Sequence, residues 1–188
     1  MSDSSDSLLA FFRSAIFGRV IVFDTETTGM SNDDEICQIA ALEYVHGALT
    51  RSMDEYLVPS CRMNPWAEGV HGLSMAFLRR NGIHPAIGLG RFVGFIAGCD
   101  LLVAHNLPFD LRMLKNGCVK YGVHHAWDGV RTCDTLALAR QIHPEFECQA
   151  LGYLIDALGV DGTNSHDALD DACACAEVFF KLVNERNK

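Results

Sequence analysis

The chain of 188 residues is long enough for one domain with a substantial core, and its 49% hydrophobic and 21% charged residues are typical of a globular protein. Its formal net charge of −9 argues against nucleic-acid binding through overall charge, so any such binding has to be local or assisted by metal ions. The eight cysteines are scattered without a CxxC pair, which favours small core residues in a reducing compartment over a zinc or disulfide framework.

The first residues of the chain predict neither export nor membrane insertion. Residues 1–7 are acidic and serine-rich, whereas a signal peptide begins with basic residues. The apolar run at residues 8–17 is interrupted by Arg13 and is too short to span a bilayer. We therefore predict an N-terminal segment 1–18 with a short amphipathic helix ending at Gly18, one domain over residues 19–188, and a cytoplasmic location. The helix packs on its own domain or, as the less favoured alternative, binds a partner.

Periodicity and turn residues predict one mixed α/β sheet of five strands flanked by helices. Strands are expected at Val20–Phe23, Ile36–Val45, Leu49–Val58, Leu101–Ala104 and Val130–Cys133. Helical stretches are expected at Asn64–Arg80, Pro85–Gly98, Pro108–Tyr121, Asp134–Gln141, Gln149–Leu158 and Ser165–Arg186. Short links between the first three strands indicate an antiparallel meander, and the later alternation of strands and helices indicates an α/β fold.

Asp24 and Glu26 follow the apolar run Val20–Phe23, which is typical of a buried strand. Side chains alternate along a strand, so these two carboxylates point to the same side. Neighbouring carboxylates at the end of a core strand repel each other unless a cation lies between them. Because Mg²⁺ and Mn²⁺ prefer oxygen ligands, the pair indicates a metal site; an ordinary strand end followed by a turn is the alternative.

Asp110 is a third acidic candidate, placed just after the predicted strand Leu101–Ala104. It lies in the first turn of a predicted helix, where the helix dipole alone favours an acid. Ligand sites in such sheets gather at strand ends, so the same position also brings Asp110 towards Asp24.

The last predicted helix contains three acids, and helical spacing selects one of them. Asp170 lies on a face that is expected to be solvated. Asp167 lies opposite the main core stripe and is expected to be exposed. Asp171 instead shares its face with apolar residues at steps of four, seven and eleven, and a carboxylate on such a face needs a buried partner. Those apolar residues are Cys175, Val178 and Leu182.

His166 precedes Asp171 by five positions, a spacing that does not place both on one face of a regular helix. The two side chains converge only if His166 lies in the loop or first turn and bends inward. Imidazole transfers protons near neutral pH, so its place beside the acidic cluster favours a catalytic role over that of a surface histidine.

Together these motifs resemble those of the DEDDh group of 3′–5′ exonucleases, which are similar to the proofreading subunit of the bacterial replicative polymerase, ribonuclease T and exonuclease X. All of the motifs occur in order between Arg19 and Lys181, which is more specific than any one alone. The main segments are Asp24–Gly29, Ala104–Asn106 with Phe109–Asp110, and His166 with Asp171. Val70–Ser74 and Cys133–Leu136 resemble two further segments of the family.

The resemblance implies a ribonuclease H-like fold and two divalent cations, Mg²⁺ or Mn²⁺. It assigns Asp24, Glu26 and Asp171 to the first metal, and Asp24 with Asp110, directly or through water, to the second. His166 would be the general base for the attacking water. Two cations would also offset the repulsion between a protein of net charge −9 and an anionic substrate.

The resemblance also suggests substrate contacts. Thr27 and Met30 match positions where the family holds the terminal nucleotide. Phe109 and His71 are candidates for packing against the terminal base or sugar, and Asn106 for contacting the phosphate or bracing a loop. Core packing is the alternative for Phe109 and Met30. Basic residues near the motifs are interpreted mostly as solvated surface, with one or two guiding the strand: Arg79, Arg80, Arg112, Lys115 and Arg131.

The leading prediction is a metal-dependent 3′–5′ exonuclease that releases nucleoside 5′-monophosphates from single-stranded 3′ ends. Non-catalytic alternatives are a nucleic-acid-binding module and a polymerase-accessory module on the same fold, and a third reading is a metal phosphohydrolase for small nucleotides. No membrane association is expected. The sequence leaves open DNA or RNA as substrate, the biological pathway, a polymerase or other protein partner, and a homodimer.

Overall fold

The computed structural model describes residues 17–125 and 127–184, which contain five strands and seven helices. The strands are β1 Arg19–Thr27, β2 Ile36–Val45, β3 Ala48–Tyr56, β4 Leu101–Ala104 and β5 Arg131–Asp134. The helices are α1 Pro65–His71, α2 Met75–Asn81, α3 Pro85–Ile96, α4 Leu107–Tyr121, α5 Thr135–Ile142, α6 Leu151–Leu158 and α7 Ala168–Asn184.

The strands form one mixed sheet in the order β3-β2-β1-β4-β5. The first three pair antiparallel, and β1 pairs parallel with β4, as β4 does with β5. The predicted meander and mixed sheet are therefore confirmed. Parallel pairing of β1 with β4 requires a crossover, and the chain between β3 and β4 supplies it through α1, α2 and α3.

Alternating residues of β1 divide the core into two halves. Val20 and Val22 face the half built with α5, α6 and α7, in which the aromatic ring of Phe179 is fully buried. Ile21 and Phe23 face the opposite half, built with α3 and α4. Continuing the alternation places Asp24 and Glu26 on the α7 side of the sheet, at the end where α7 begins.

Several predicted boundaries were wrong by a few residues, and two differences affect the site. β1 continues to Thr27 because Asp24–Thr27 keep pairing with β2, so both carboxylates lie within the strand rather than after it. The last helix begins at Ala168 rather than Ser165, so His166 lies in the preceding loop. The stretch Asn64–Arg80 is two helices, because Gly72 ends the first in a left-handed conformation and Ser74 caps the second.

The predicted N-terminal helix at residues 8–17 falls almost entirely outside the described residues, as does the end of the last predicted helix. Within the described part of the chain, none of the helices combines the length and hydropathy that crossing a bilayer requires. Five of the eight cysteines are buried, in keeping with their interpretation as small core residues.

Candidate active site

Asp24 and Glu26 stand next to each other on the α7 side of β1, opposite Ala40 and Gln38 of the neighbouring strand β2. Pairing with β2 fixes the backbone at both positions, whereas the pairing of β1 with β4 ends at Val22, so the two side chains cannot spread apart freely. The main chain therefore holds two carboxylates on one face of a rigid strand.

Asp110 reaches the same place from the other half of the core. It lies in the first turn of α4 and is 3% exposed, and its Oδ1 accepts a hydrogen bond of 2.6 Å from Thr25 Oγ1. The turn before it requires Asn106 in the left-handed region, at φ 65°. The carboxylate of Asp134, which caps α5, accepts a 2.9 Å bond from the Asn106 backbone N–H. The segment around Asp134 therefore positions the start of α4.

His166 and Asp171 complete the cluster from the start of α7. His166 lies in the loop with a left-handed backbone, at φ 57°, and this turn lets it bend towards Asp171. Asp171 is 5% exposed, and its Oδ1 accepts a 3.0 Å bond from the Ser165 backbone N–H. Potential ligand atoms of Glu26, His166 and Asp171 all lie within 4.8 Å of one another. The convergence inferred from spacing is thus present.

Asp167 is not exposed, contrary to the sequence-based expectation. It is half-buried because the loop before α7 folds back onto β2, where Gln38 is fully buried. Gln38 Nε2 donates to Asp167 Oδ2 at 3.1 Å and to Asp54 Oδ1 at 3.0 Å. Gln38 Oε1 accepts from the Ala168 backbone N–H at 3.2 Å. One buried amide therefore ties the beginning of α7 to the strand beside Glu26.

The electrostatics of the cluster favour a bound cation. Burial and neighbouring carboxylates raise the pKa of Glu26 to about 8, and burial and the nearby Asp110 carboxylate raise the pKa of Asp24 well above its usual range. Burial raises the pKa of Asp110 to about 7 and that of Asp171 to about 6, although the nearby His166 opposes the shift at Asp171. Among residues 17–125 and 127–184, no ion pair involves any of these four carboxyl groups. Closely spaced acids without an internal counter-ion fit a site for hard cations.

A cleft of about 330 Å³ opens beside these acids, and Glu26 and His166 form part of its wall. All five residues predicted to contact substrate line this same cleft: Thr27, Met30, His71, Asn106 and Phe109. Met30 is 64% exposed and Phe109 is half-buried, so core packing does not account for Met30. The structure therefore brings the candidate catalytic and substrate-contacting residues together.

His71 is held in one tautomer by two hydrogen bonds. Its Nδ1 accepts from the Leu73 backbone N–H at 3.0 Å, and its Nε2 lies 3.2 Å from the Thr27 carbonyl oxygen. A carbonyl can only accept, so Nε2 carries the proton. Burial lowers the pKa of His71, which also favours the neutral ring. His71 consequently braces the end of β1 and offers no free nitrogen for proton transfer.

Sequence reasoning missed three residues that shape the site. Gln38 gave no signal beyond its position on a strand, and its role depends on the distant loop before α7. Trp66 also lines the cleft, but it lies five residues before His71 in the same helix, a spacing that does not indicate a shared face, so its role could not be read from spacing. Arg112 was one of five basic residues interpreted mostly as solvated surface, with one or two guiding the strand, and its structural role was not foreseen: its guanidinium donates to the Met30 carbonyl at 3.1 Å and lies 5.1 Å from the Phe109 ring centroid.

Replacing Gln38 with leucine should lower kcat by about tenfold while changing KM little, because the loop carrying His166 loses its hydrogen bonds to β2. The Gln38→Glu variant keeps an acceptor for Ala168 but puts negative charge beside Asp167, so its defect should ease as pH falls. Asp54→Asn is the control, because it leaves both bonds to the α7 side intact. Steady-state kinetics over a pH series provide the test. Equal loss of activity in all three variants would show that the bonds from Gln38 to the α7 side are not what supports catalysis.

The comparisons with known proteins agree with this geometry. The sequence matches the exonuclease family RNase_T over residues 21–179. It is 35% identical over 179 residues to the DNA polymerase III subunit epsilon of Rickettsia conorii, covering 89% of this chain and 75% of that protein. It is 28% identical over 169 residues to the PolC-type DNA polymerase III of Caldanaerobacter subterraneus subsp. tengcongensis, covering 89% of this chain but 12% of that protein.

Among solved structures, E. coli exonuclease I in its zinc-bound complex with single-stranded DNA superposes with a TM-score of 0.78 at 22% identity. The match covers 90% of this chain and 41% of exonuclease I. The fold is therefore that of the ribonuclease H-like exonucleases, which confirms the predicted fold class. The chain belongs to the exonuclease family RNase_T, and the predicted class of enzyme, a 3′–5′ exonuclease, is confirmed at the level of that family.

Proposed function

We propose that this protein is a two-metal 3′–5′ exonuclease that releases nucleoside 5′-monophosphates from single-stranded 3′ ends. The observation that carries the proposal is the meeting of four carboxyl groups and His166 beside one cleft, without an internal counter-ion in the described part of the chain. The relatives and the family match support the reaction class. A pure binding module would have no use for this costly concentration of negative charge.

The residues present fit two divalent cations, Mg²⁺ or Mn²⁺. Glu26 and Asp171 would hold one together with Asp24, and Asp24 and Asp110 would hold the other, directly or through water. Bound there, the cations would activate the attacking water and stabilise the leaving oxygen in an in-line displacement at phosphorus. The raised pKa values of the acids support this assignment, because they show that the cluster lacks positive charge. A bound cation would supply that charge and favour the ionised carboxylates.

The chain's own residues would perform the remaining tasks. His166 would accept a proton from the attacking water, and this role is supported by the left-handed turn that brings it close to Glu26 and Asp171. Ser165 fixes the orientation of the Asp171 carboxylate, and Thr25 fixes that of Asp110. The cleft lined by Met30 and its neighbours would hold the terminal nucleotide against this group.

The relatives favour DNA as the substrate and a polymerase as a partner. One relative is a subunit of DNA polymerase III, and the exonuclease I structure contains single-stranded DNA. We propose the same substrate class for this chain, with RNA as the alternative that an assay has to exclude. The polymerase partner, the homodimer and the cytoplasmic location stay predictions.

Digestion of 5′-labelled single-stranded DNA and RNA tests the proposal. With Mg²⁺ or Mn²⁺ we expect a ladder of products shortened from the 3′ end, and none after addition of a chelator. Comparing the two substrates shows which sugar is preferred. If folded protein supplied with metal cleaves neither the DNA nor the RNA, the proposal is contradicted. That result would favour a binding module or a small-nucleotide phosphohydrolase.

Replacing His166 with alanine should reduce the rate of hydrolysis about 10²–10⁴-fold at neutral pH, because the general base is lost while the carboxylates remain. Binding of the divalent cation, measured by calorimetry, should change much less. The matched control is His124→Ala, since His124 is exposed and does not line the cleft. A His166→Ala enzyme with a near-normal rate would exclude His166 as the base.

A further inference from the structure

Trp66 is an exposed aromatic side chain on the wall of the cleft that also contains Glu26 and His166. Its relative exposure is 64%, although burial of a large ring is favourable. Single exposed apolar residues are common on protein surfaces. Trp66, however, shares its cleft with a second large exposed apolar side chain, Met30, which is also 64% exposed. Two such side chains in one concave site indicate a ligand with apolar surface.

The position of Trp66 is fixed by its backbone. The Asn64 side chain caps α1 and accepts a 2.9 Å hydrogen bond from the Trp66 N–H. The Asn64 N–H donates at 2.9 Å to the carbonyl of Thr28, directly after β1. The strand that carries Asp24 and Glu26 thus sets the position from which the indole projects.

The Met30 and Phe109 side of the cleft is held equally well. Arg112 donates to the Met30 carbonyl and to Asn32 Oδ1, at 3.1 and 2.9 Å, and its guanidinium lies over the Phe109 ring. Arg112 therefore holds the Met30 backbone and the Phe109 ring in place. Preorganised aromatic surfaces bind with little loss of side-chain entropy.

The chemistry of this cleft matches a nucleobase. Every base has a π-face, so stacking on an aromatic ring gives affinity without requiring one sequence. A base paired at a duplex end is held by its partner strand and its stacked neighbour, so it can enter this cleft only after unpairing, and the cleft therefore favours an unpaired end. A volume of about 330 Å³ is in the range of small-ligand pockets.

We propose that Trp66 is a stacking platform for the terminal nucleobase, a contact that binds an unpaired base of any kind and to which Met30 and Phe109 add further apolar surface. This inference rests on the proposed exonuclease function. Trp66 contributes to recognition of the base, whereas His166 and the four acids act on the phosphodiester. Loss of the indole therefore weakens substrate binding and leaves the chemical step intact.

Intrinsic fluorescence tests the contact directly, because the chain has two tryptophans and the other, Trp127, is only 6% exposed. The Asp171→Asn variant is used so that the strand is not degraded, and it is titrated in Mg²⁺ with a single-stranded oligothymidylate. Fluorescence anisotropy of a labelled strand shows in parallel the concentrations at which the strand is bound. Tryptophan emission should be quenched as the strand binds. In the same titration, a chain that carries Trp66→Phe together with Asp171→Asn should show constant tryptophan emission. Unchanged emission with Trp66 present, at concentrations where the strand is bound, would overturn the proposal.

Steady-state kinetics distinguish stacking from a structural role. Trp66→Ala should raise KM about tenfold with kcat within about twofold, and Trp66→Phe should restore most of the affinity. Trp66→Leu, which keeps apolar bulk without a π-face, should resemble Trp66→Ala. On an oligonucleotide whose 3′-terminal nucleotide is abasic, wild type and Trp66→Ala should have the same KM.

The outcomes separate this inference from the function on which it rests. Metal-dependent shortening by the wild-type chain with equal KM for wild type and Trp66→Ala on normal strands would overturn the stacking platform and leave the exonuclease intact. A KM difference that persists on the abasic strand would also overturn it, because the contact would then not involve the base. Absence of any shortening by wild type would instead contradict the proposed function.

Discussion

The Asp171→Asn variant should lose at least about 1,000-fold in exonuclease rate while remaining folded. Asp171 is the buried acid of α7 that approaches Glu26 and His166, and an amide oxygen has no charge with which to hold a cation. The side chain keeps its shape and an acceptor for the Ser165 N–H, so the fold should not change. The measurement is the initial rate on a 5′-labelled strand with saturating Mg²⁺, together with circular dichroism and thermal unfolding.

The adjacent acid provides the control for this prediction. Asp170→Asn makes the same chemical change one position earlier, on an exposed residue whose carboxylate accepts from Ser165 Oγ at 2.8 Å. We expect its rate to stay within about threefold of wild type, since exposed substitutions away from a site have small effects. If both variants lost activity equally, local charge rather than a specific ligand role would explain the result. If neither did, the assignment of Asp171 to the metal site would be wrong.

In the absence of metal, Glu26→Gln should make the protein more stable, not less. The folded-state pKa of Glu26 is raised from 4.5 to about 8, so the folded protein binds more protons than the unfolded chain in this pH window. The free energy of unfolding of wild type therefore falls as pH rises from about 4.5 to 8. Glutamine does not titrate, so the free energy of unfolding of the Glu26→Gln variant does not fall in this way as pH rises. We expect a gain of about 1–3 kcal/mol at pH 8 and little at pH 5.

Urea unfolding with chelator at pH 5 and pH 8 measures this effect, and Glu35→Gln is a control of opposite sign. Burial raises the pKa of Glu35, but bonds from Lys120, Tyr121 and Ser60 outweigh it and lower that pKa to about 2. Its stabilising contribution is present above pH 4.5 and is lost as pH falls towards 2. Glu35→Gln should therefore destabilise the protein by about 2–4 kcal/mol at neutral pH. If Glu26→Gln instead destabilised the protein in chelator, the Glu26 carboxylate could not be an unfavourable, unpaired charge in the metal-free site.

The core of the fold was predictable because local patterns and tertiary packing agree along most of the chain. The run Val20–Phe23 is apolar on both faces, and the structure buries both faces between helices. Asp24–Thr27 could not be assigned to the strand in the same way. Their polar side chains predict a turn, whereas pairing with β2 keeps the backbone extended. Tertiary hydrogen bonding thus overrides local composition where the site begins.

The same contrast applies to the residues of the site. Asp171 was separable from Asp170 because helical periodicity alone distinguishes a buried face from an exposed one. Asp167 was misjudged because it lies before the helix, where periodicity has no meaning, and its surroundings come from Gln38. Side chains whose role depends on a partner more than 100 positions away have no local pattern, and only the folded chain shows them.

The site joins β1, near the beginning of the described chain, to α7, at its end. Two of its carboxylates are therefore synthesised long before the histidine and aspartate that complete it. A nascent chain on the ribosome cannot assemble the cluster until α7 has emerged and packed against the sheet. The order of the elements along the chain thus makes assembly of the proposed site a late step in the folding of this domain.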